Sequence, residues 1–508
     1  MKKTYNPFLP LDEYIPDGEP HVFGDRVYLF GSHDKEGGDQ YCELGDYVGY
    51  SAPVTDLSDW RYEGVIYTAK QDPAGSVGQA FMYAPDVVCG NDGRYYLYYN
   101  VQGGTIEGDS PISVAVCDTP AGKYEYYGHV RNPDGSMLRR FITGDPAVIN
   151  DNGVIRLYYG WSLSSRAAEA HGHKSSDQAV QDLPPEVLKE SLIAAQMMLT
   201  HKSREEIVSE EDSIVMGANV VTLADDMLTI TTEPIRFIPG EFTAKGTSFE
   251  GNAFYEASSI RKIGNIYYFI YSSQLSHALC YAVSKYPDKD FTFGGTIISN
   301  GDVGYQGRKE EDRLNLTGNN HGSIEYINGQ WYIFYHRQTH SSTFSRQACV
   351  EPITILPDGS IPQVEITSCG FNGGPLPVEG EYPAVIACNL TNGRMPHITN
   401  RRIVSDIPFI THGDNERYIT NIKENTLIGF KYFAFDGPTV LKVMTRGKGN
   451  GSFKVSTDEK DVGIIPLSSS EAWSESNVVI DIQGAAALYF TYYGSGEVEF
   501  LSFRFDAL

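Results

Sequence analysis

Residues 84–100 read APDVVCGNDGRYYLYYN, which is a short apolar run, an Asn-Asp-Gly turn and an aromatic-rich strand. β-branched and aromatic residues on both sides of such a turn predict a β-hairpin. The same pattern recurs in four more stretches: PHVFGDRVYLFGSHD (20–34), DPAVINDNGVIRLYYGWS (145–162), EASSIRKIGNIYYFIYSS (256–273) and HGSIEYINGQWYIFYHR (321–337). The chain therefore repeats one hairpin five times.

The spacing of the copies predicts how they are arranged. They begin at residues 20, 84, 145, 256 and 321, so the period is about 60–65 residues with one longer interval. A second strand pair follows most hairpins, as in CDTPAGKYEYYGHV and SKYPDKDFTFGGTII. Five four-stranded blades arranged radially make a β-propeller, whose innermost strands face a central channel. We predict an all-β, five-bladed propeller over residues 1–370.

Two regions depart from the repeat. Residues 164–212 lengthen the third interval, and PPEVLKESLIAAQMML (184–199) has apolar residues at helical spacing after two prolines, which predicts a helical insertion. The stretch ILPDGSIPQVEITSCGFNGGPLP (355–377) is interpreted as a closing strand and a Gly/Pro linker. Short alternating strands follow it, so we predict a β-sandwich domain over residues 371–508.

Composition limits the partners of the protein. The formal charge of −25 and the pI near 4.8 disfavour nucleic acid and anionic membranes, which would repel such a surface. The seven scattered cysteines form no CxxC pair, and MKKTYNPFLPLDEY at the N-terminus lacks the apolar region of a signal peptide. We therefore expect a cytoplasmic protein, with reduced thiols, that binds a neutral small molecule.

Three acidic residues fall at blade starts, near the predicted channel. Asp17 precedes the first copy, Asp145 opens the third and Glu256 opens the fourth. Glycoside hydrolysis needs such a set: an ionised carboxylate for water, a protonated acid for the leaving oxygen, and a neighbouring charge that separates their pKa values. The Pro-Asp-Gly turn offers a structural alternative for Asp17, and Glu19 lies two residues beyond it.

These segments resemble glycoside hydrolase family 43, whose members are five-bladed propellers that act with inversion. PDGEPHVFGDRVYLFGSHD is similar to the first-blade motif and implies Asp17 as general base, although Glu19 departs from that motif and stays open as the base. DPAVINDNG resembles the segment of the pKa-modulating aspartate, which implies Asp145. FYEASSIRKIGNIYYFIYSS resembles the segment of the general acid, which implies Glu256, with Glu250 as the nearest rival.

The resemblance also implies residues around the carboxylates. Four positions match residues that line the sugar pocket, although each could equally bond within its own blade: His33, Asp34, Asp86 and Arg346. His321 matches a channel-axis histidine that in several members approaches a calcium or other ion, often through water. A single histidine is not a metal site by spacing, so Ca²⁺ and a simple hydrogen-bonding role both stay open. No organic cofactor is implied.

The C-terminal region resembles a family 6 carbohydrate-binding module in its layout of strands. Trp473 lies where such modules often stack a sugar, and a core or interface position is the alternative.

The function that the resemblance implies is an exo-acting, inverting glycosidase. It would release terminal α-L-arabinofuranose, β-D-xylose or both from arabinoxylan-derived oligosaccharides. The alternatives are other exo-specificities, on arabinan or galactan side chains, and a catalytically inactive sugar-binding propeller. A retaining fructosidase-type propeller would carry Asn-Asp-Pro-Asn, Arg-Asp-Pro and Glu-Cys motifs, where this chain has PDGE, GDPA and YEAS. The sequence indicates neither the preferred sugar nor the oligomeric state.

Overall fold

The computed structural model describes residues 4–75, 80–102, 111–139, 143–162, 202–209, 217–398 and 404–508, and the helical positions 190, 193, 194 and 197. Within these residues the first part of the chain forms five antiparallel sheets in sequence order. This architecture confirms the predicted five-bladed propeller.

Each of the first four blades has four strands in meander order. Their bounds are β1 (Glu19–Phe23), β2 (Arg26–Phe30), β3 (Asp46–Pro53) and β4 (Arg61–Thr68); β5 (Phe81–Cys89), β6 (Tyr95–Gln102), β7 (Ile112–Cys117) and β8 (Glu125–His129); β9 (Ala147–Asp151), β10 (Val154–Trp161), β11 (Gly217–Thr222) and β12 (Ile235–Pro239); β13 (Phe254–Ile263), β14 (Ile266–Ser273), β15 (Leu279–Ser284) and β16 (Thr292–Ile298). The fifth blade has β17 (Ile324–Ile327), β18 (Gln330–Gln338) and β19 (Arg346–Ile353).

The innermost strands close a ring around the channel. Strand β1 packs against both β5 and β17, and a parallel bridge joins Gly18 to Gly322, so the first blade meets the fifth. Apolar side chains fill the spaces between neighbouring blades, where the alternating residues of the two sheets interdigitate. The channel is therefore lined by the first residues of five different strands.

The backbone takes a left-handed conformation as it approaches these inner strands. The φ angle is 58° at Asp17, 27° at Ala84, 43° at Asp145 and 68° at Ala257. Residues other than glycine rarely adopt such φ angles, and none of these four residues is a glycine. Two of the four residues with this costly conformation are acids that the sequence singles out.

The prediction of a closing strand after β19 is wrong. Residues 354–369 contain no strand. The amides of Ile361, Val364 and Ile366 bond to Tyr281, Ile297 and Asp302 of the fourth-blade region instead. The fifth blade consequently has three strands.

The predicted helical insertion lies mostly outside the described residues. Within it the structure describes one helix, α1 (Arg204–Ser209), and isolated helical positions at Glu190, Ile193, Ala194 and Met197. Short 3₁₀ turns complete the helical content: Ala69–Gln71, Glu241–Thr243, Tyr305–Gly307, Glu310–Asp312, Gly370–Asn372 and Ala384–Ile386. None of the described helices combines the length and the apolar character that a bilayer crossing requires.

The C-terminal region forms one ten-stranded sheet. Its strands are β20 (Leu376–Pro377), β21 (Gly380–Pro383), β22 (Asn389–Thr391), β23 (Phe409–His412), β24 (Arg417–Ile422), β25 (Leu427–Gly447), β26 (Asn450–Ser456), β27 (Asp461–Leu467), β28 (Ser470–Ser495) and β29 (Val498–Asp506). The long strands β25 and β28 alternate buried and solvent-facing residues over much of their length. The buried face packs into a single aromatic-rich cluster, so the sheet folds around one core as sandwich layers do. The first strand of this sheet lies close to the predicted boundary at residue 371.

Candidate active site

Asp17 is a nearly buried carboxylate in the turn before β1. The Arg346 guanidinium donates hydrogen bonds from Nη1 to Asp17 Oδ1 at 3.0 Å and Oδ2 at 3.4 Å. Burial raises the pKa of Asp17, but the charge of Arg346 and further contributions from His336, His321 and the Ser32 hydroxyl outweigh it and lower the pKa below its usual value. Asp17 is therefore ionised over the physiological pH range.

His336 fixes the backbone of Asp17. The Asp17 amide donates to His336 Nδ1 at 3.2 Å, and His336 Nε2 lies 2.8 Å from the Asn319 carbonyl oxygen, so the proton of the ring is on Nε2. Burial, with the Arg346 charge, lowers the pKa of His336 to about 3. A neutral ring makes no ion pair with Asp17 Oδ1, although these atoms are only 3.4 Å apart. His336 thus acts as a neutral acceptor that orients the strained turn.

Glu256 has the opposite electrostatic surroundings. It lies in β13 at the start of the fourth blade, where the Trp161 indole donates a hydrogen bond to it. Burial raises the pKa of Glu256 well above its usual value, and the negative charges of Asp145 and Asp17 raise it further against the opposing charge of Arg346. The carboxyl group is therefore a proton donor near neutral pH.

Asp145 interacts electrostatically with both of the other acids, Asp17 and Glu256. Its Oδ2 accepts a hydrogen bond from the Ala257 amide at 2.9 Å, directly next to Glu256 in the chain. Burial and the charge of Asp17 raise the pKa of Asp145, while His321, whose Nδ1 lies 4.0 Å from Oδ2, opposes this shift. The contact with Ala257 ties Asp145 to the fourth-blade turn that carries Glu256.

The three acids together make a site with divided protonation. One ionised carboxylate and one protonated carboxyl, held by different blades, are what acid–base hydrolysis of an acetal requires. The like charges keep the pKa values apart, because each ionised group penalises ionisation of the next.

The comparisons with known proteins agree with this chemistry. The profile of glycosyl hydrolases family 43 matches residues 6–191. The xylosidase/arabinosidase of Thermoclostridium stercorarium is 45% identical over 518 residues, which cover 99% of this chain and 98% of that protein. The chain belongs to glycosyl hydrolase family 43. It is a glycoside hydrolase.

Two more distant relatives cover less of the chain. The xylosidase/arabinosidase of Bacteroides ovatus is 26% identical over 72% of this chain and 98% of its own length. The crystal structure of a GH43_1 enzyme from Xanthomonas citri superposes with a TM-score of 0.51 at 22% identity, over 73% of this chain and 96% of that enzyme. The likeness to the Xanthomonas enzyme supports the propeller fold.

Two of the four predicted sugar-pocket residues form one buried unit in this family 43 protein. Arg346 donates to both oxygens of Asp34, from Nε at 2.8 Å and Nη2 at 2.9 Å, and the Cys42 amide donates to the same carboxylate. Arg346 also lies over the Tyr41 ring, 4.9 Å from its centroid. Asp34 therefore holds the guanidinium that reaches Asp17.

His33 and Asp86 have partners other than the three acids. His33 lies between Asp46 at 2.5 Å and Glu13 at 3.0 Å, and although burial opposes it, these carboxylates raise its pKa to about 9. Asp86 is fully buried, 2.6 Å from His21 Nε2, and accepts the Val148 amide. With these partners, no ring nitrogen of His33 is left for a sugar hydroxyl. The substrate-binding roles of all four residues stay predictions.

Glu19 is the first residue of β1 and has partners other than those of Asp17. Its Oε2 accepts a hydrogen bond from Arg261 Nη2 at 3.2 Å, and Arg261 Nε donates to Glu325 at the same distance, so three blades are joined. Burial raises the pKa of Glu19 to about 7 against the charge of Arg261. These contacts favour Asp17 over Glu19 as the base.

The channel residues fit a cation. Glu19 Oε1 and His321 Nε2 are buried, lie 3.8 Å apart, and have no hydrogen-bond partner among the described residues. Ligand atoms of His21 and Asp86 also lie within 4.8 Å of Glu19 and of each other. Carboxylate oxygens and imidazole nitrogens are donors that a divalent ion accepts.

Sequence reasoning missed three residues that shape the site. His336 is the second-last residue of the fifth copy, Trp161 is the second-last residue of the third, and Arg261 lies inside the fourth. His336 and Trp161 lie at or near the ends of the second strands of their blades, so alignment of the five copies by strand end could have found these two. Arg261 lies within β13, where that alignment gives no signal.

Trp473 lies against neighbours within the C-terminal sheet. Its indole donates to Glu416 Oε2 at 2.8 Å, and the Arg446 guanidinium lies 4.1 Å from the ring centroid. One face of the ring is therefore covered, and sugar binding by Trp473 stays a prediction.

Proposed function

We propose that the protein is an exo-acting, inverting glycosidase that releases terminal α-L-arabinofuranosyl and β-D-xylosyl residues from arabinoxylan-derived oligosaccharides. The observation that carries this proposal is the division of protonation between Asp17, ionised beside Arg346, and Glu256, protonated beside Asp145. The name xylosidase/arabinosidase of the 45% identical relative supports the choice of sugars.

In the mechanism, Asp17 takes a proton from water as the water attacks the anomeric carbon. Glu256 donates its proton to the glycosidic oxygen, so the aglycone leaves as a neutral alcohol from the opposite face of the sugar. No covalent intermediate forms, and the configuration of the anomeric carbon inverts.

The neighbouring residues keep this cycle in the correct protonation state. Asp145 raises the pKa of Glu256 by its charge and is fixed by the Ala257 amide. Arg346 keeps Asp17 ionised, and Asp34 orients Arg346. Asp145, Arg346 and Asp34 act through charge and positioning, since none of the three exchanges a proton with the substrate.

A divalent cation, Ca²⁺, is part of the proposal. Glu19 would hold it through a carboxylate oxygen and His321 through water, because each has a buried atom without a hydrogen-bond partner among the described residues. When bound, it would supply positive charge close to the acidic residues of the channel, which would offset their mutual repulsion.

Product analysis tests the proposal. Purified protein is incubated with xylobiose, xylotetraose and arabinosyl-xylotriose, and the products are separated over time. We expect monosaccharide as the first product from each, with Asp17→Asn as the inactive control. Release of xylobiose before xylose from xylotetraose would contradict exo action, and absence of any cleavage would contradict these substrates.

A further inference from the structure

A second group of ligand-type side chains lies between the propeller and the C-terminal sheet. Glu36 belongs to the loop after β2, His340 to the loop between β18 and β19, and His412 ends β23. One ligand atom from each residue lies within 4.8 Å of the other two. His340 and His412 contact each other directly, with Nε2 and Nδ1 separated by 2.8 Å.

The hydrogen bonds of the loop fix the tautomer of His340. The Thr339 hydroxyl donates its proton to the Ser345 carbonyl at 2.8 Å, so toward His340 Nδ1, also at 2.8 Å, it accepts. The ring proton is therefore on Nδ1 and the lone pair of Nε2 faces His412. A histidine whose distal N–H is held in this way is typical of metal ligands.

The backbone beside Glu36 leaves room for both imidazoles. Gly37 has φ 65°, and a Cβ at that position would lie 3.1 Å from His412 Cε1 and 3.5 Å from His340 Cδ2. A side chain at residue 37 would therefore crowd the two rings.

We propose that Glu36, His340 and His412 bind a divalent transition metal of the zinc class. Two imidazoles and one carboxylate, with water as a fourth ligand, are a donor set that zinc favours and that calcium, which prefers six to eight oxygens, does not. Zinc–nitrogen bonds of about 2.0–2.1 Å place two ligand nitrogens about 3.3 Å apart, so the rings separate by about half an ångström on binding. The side chain of His412 is 37% exposed, which gives the ion and its water access.

Other groups that contact Glu36 orient its carboxylate. Arg417 donates to both oxygens, at 3.0 Å to Oε1 and 2.7 Å to Oε2, and the Tyr14 hydroxyl donates to Oε1 at 3.1 Å. The metal shares Oε1 with these donors, and the guanidinium charge weakens its binding. The site is thus of modest affinity and pre-oriented.

The metal links the C-terminal sheet to the loops that hold the catalytic charge pair. Asp34 lies two residues before Glu36, and Arg346 is the first residue of β19, directly after the loop that contains His340. The His340 amide already donates to the Ile410 carbonyl at 2.8 Å across this junction. Binding of the metal adds a further link at the same place.

Metal titration of the full chain tests the proposal. Protein freed of metal with EDTA is titrated with Zn²⁺, and separately with Co²⁺, whose visible absorption reports nitrogen ligation. We expect one equivalent bound by the wild type, and about tenfold or more weaker binding in His412→Ala and in His340→Gln. Anomalous diffraction at the zinc edge should place the ion between the two rings.

Two variants separate this site from other binders. His171→Ala/His173→Ala removes both histidines of the sequence HGHK (residues 171–174), and Glu19→Gln alters the channel. Both variants should still bind one equivalent of metal with the wild-type affinity. Absence of binding in the wild type, or equal binding in a folded His412→Ala protein, would overturn the proposal, and so would an anomalous peak elsewhere.

Discussion

Asp17 and Glu256 differ in protonation at one pH because their neighbours differ. Arg346 bonds to Asp17, whereas Glu256 is partly buried with two carboxylates nearby and receives one indole hydrogen bond. Spacing alone placed both acids at blade starts, but it could not decide between Asp17 and Glu19, which are two residues apart. The preference for Asp17 over Glu19 as the base depends on Arg346. This residue lies more than 300 residues from Asp17 in sequence and reaches it only because the propeller closes into a ring.

Substitution of the two acids should separate their roles. Glu256→Gln should lower kcat about 10²–10⁴-fold on xylobiose, which needs protonation of its leaving group, and far less on a dinitrophenyl xyloside, which does not. Asp17→Asn should be impaired on both substrates, because water activation is needed in each case. Steady-state kinetics on the matched pair of substrates measure this, and equal losses for Glu256→Gln on both would contradict its role as acid.

The pH profile should report the charge of Asp145. This charge raises the pKa of Glu256, so in Asp145→Asn the pKa falls and the acid loses its proton at lower pH. The alkaline limb of kcat/KM should therefore move to lower pH. The acid limb, which follows the lowered pKa of Asp17, should stay nearly in place. An alkaline limb that is unmoved or higher would contradict the assignment.

At the scale of elements, the five hairpins and the outer strands of the first four blades could be predicted, and the outer edge of the fifth blade could not. Turn residues and alternating aromatics identify all five inner hairpins, because these signals are local. The segment after β19 has a strand-like pattern in Val364–Ile366, yet its amides bond to residues of the fourth-blade region. Tertiary contacts determine the conformation of this segment, and its sequence gives no indication of those contacts.

Arg261 should be a major determinant of propeller stability. It bonds to Glu19 of β1 and Glu325 of β17, and its own side chain is only 12% exposed. Arg261→Met leaves Glu19 uncompensated and should lower the free energy of unfolding by about 3–5 kcal/mol. Urea unfolding measures this value.

The pH dependence of that loss follows from Glu19. Its pKa is raised to about 7 in the folded protein, so ionisation costs stability as the pH rises from about 4.5 to about 7. The loss in Arg261→Met should be larger at pH 8 than at pH 5, where Glu19 is protonated. The matched double variant Glu19→Leu/Arg261→Met should recover much of the free energy of unfolding that Arg261→Met loses. A loss independent of pH would contradict the role of the buried carboxylate.

On the scale of the whole molecule, buried and partly buried polar contacts join the C-terminal region to the propeller. Arg337 of β18 donates to the carbonyls of Ala387 and Val385, and Lys431 of β25 bonds to Glu365 at 2.8 Å and lies 3.6 Å from buried Asp302. The sequence predicted two domains and their order, since strand pattern changes near residue 371. It could not predict these junction contacts, because each joins side chains far apart in the chain.

These contacts should make the two parts unfold together. Calorimetry of the full chain should show one transition, and Lys431→Met, which leaves Asp302 without its cation, should shift that whole transition to lower temperature. Lys442→Met, on the solvent side of the same strand β25, is the matched control and should change it little. Two separate transitions, with only one of them moved by Lys431→Met, would contradict this coupling.

The most direct test of the mechanism is the anomeric configuration of the first product. Proton NMR of the reaction with β-1,4-xylobiose, recorded before mutarotation, distinguishes α- from β-xylose as it is released. Single displacement by water, with Asp17 as base and Glu256 as acid, gives α-xylose first. Initial release of β-xylose would mean retention through a covalent intermediate and would contradict the account.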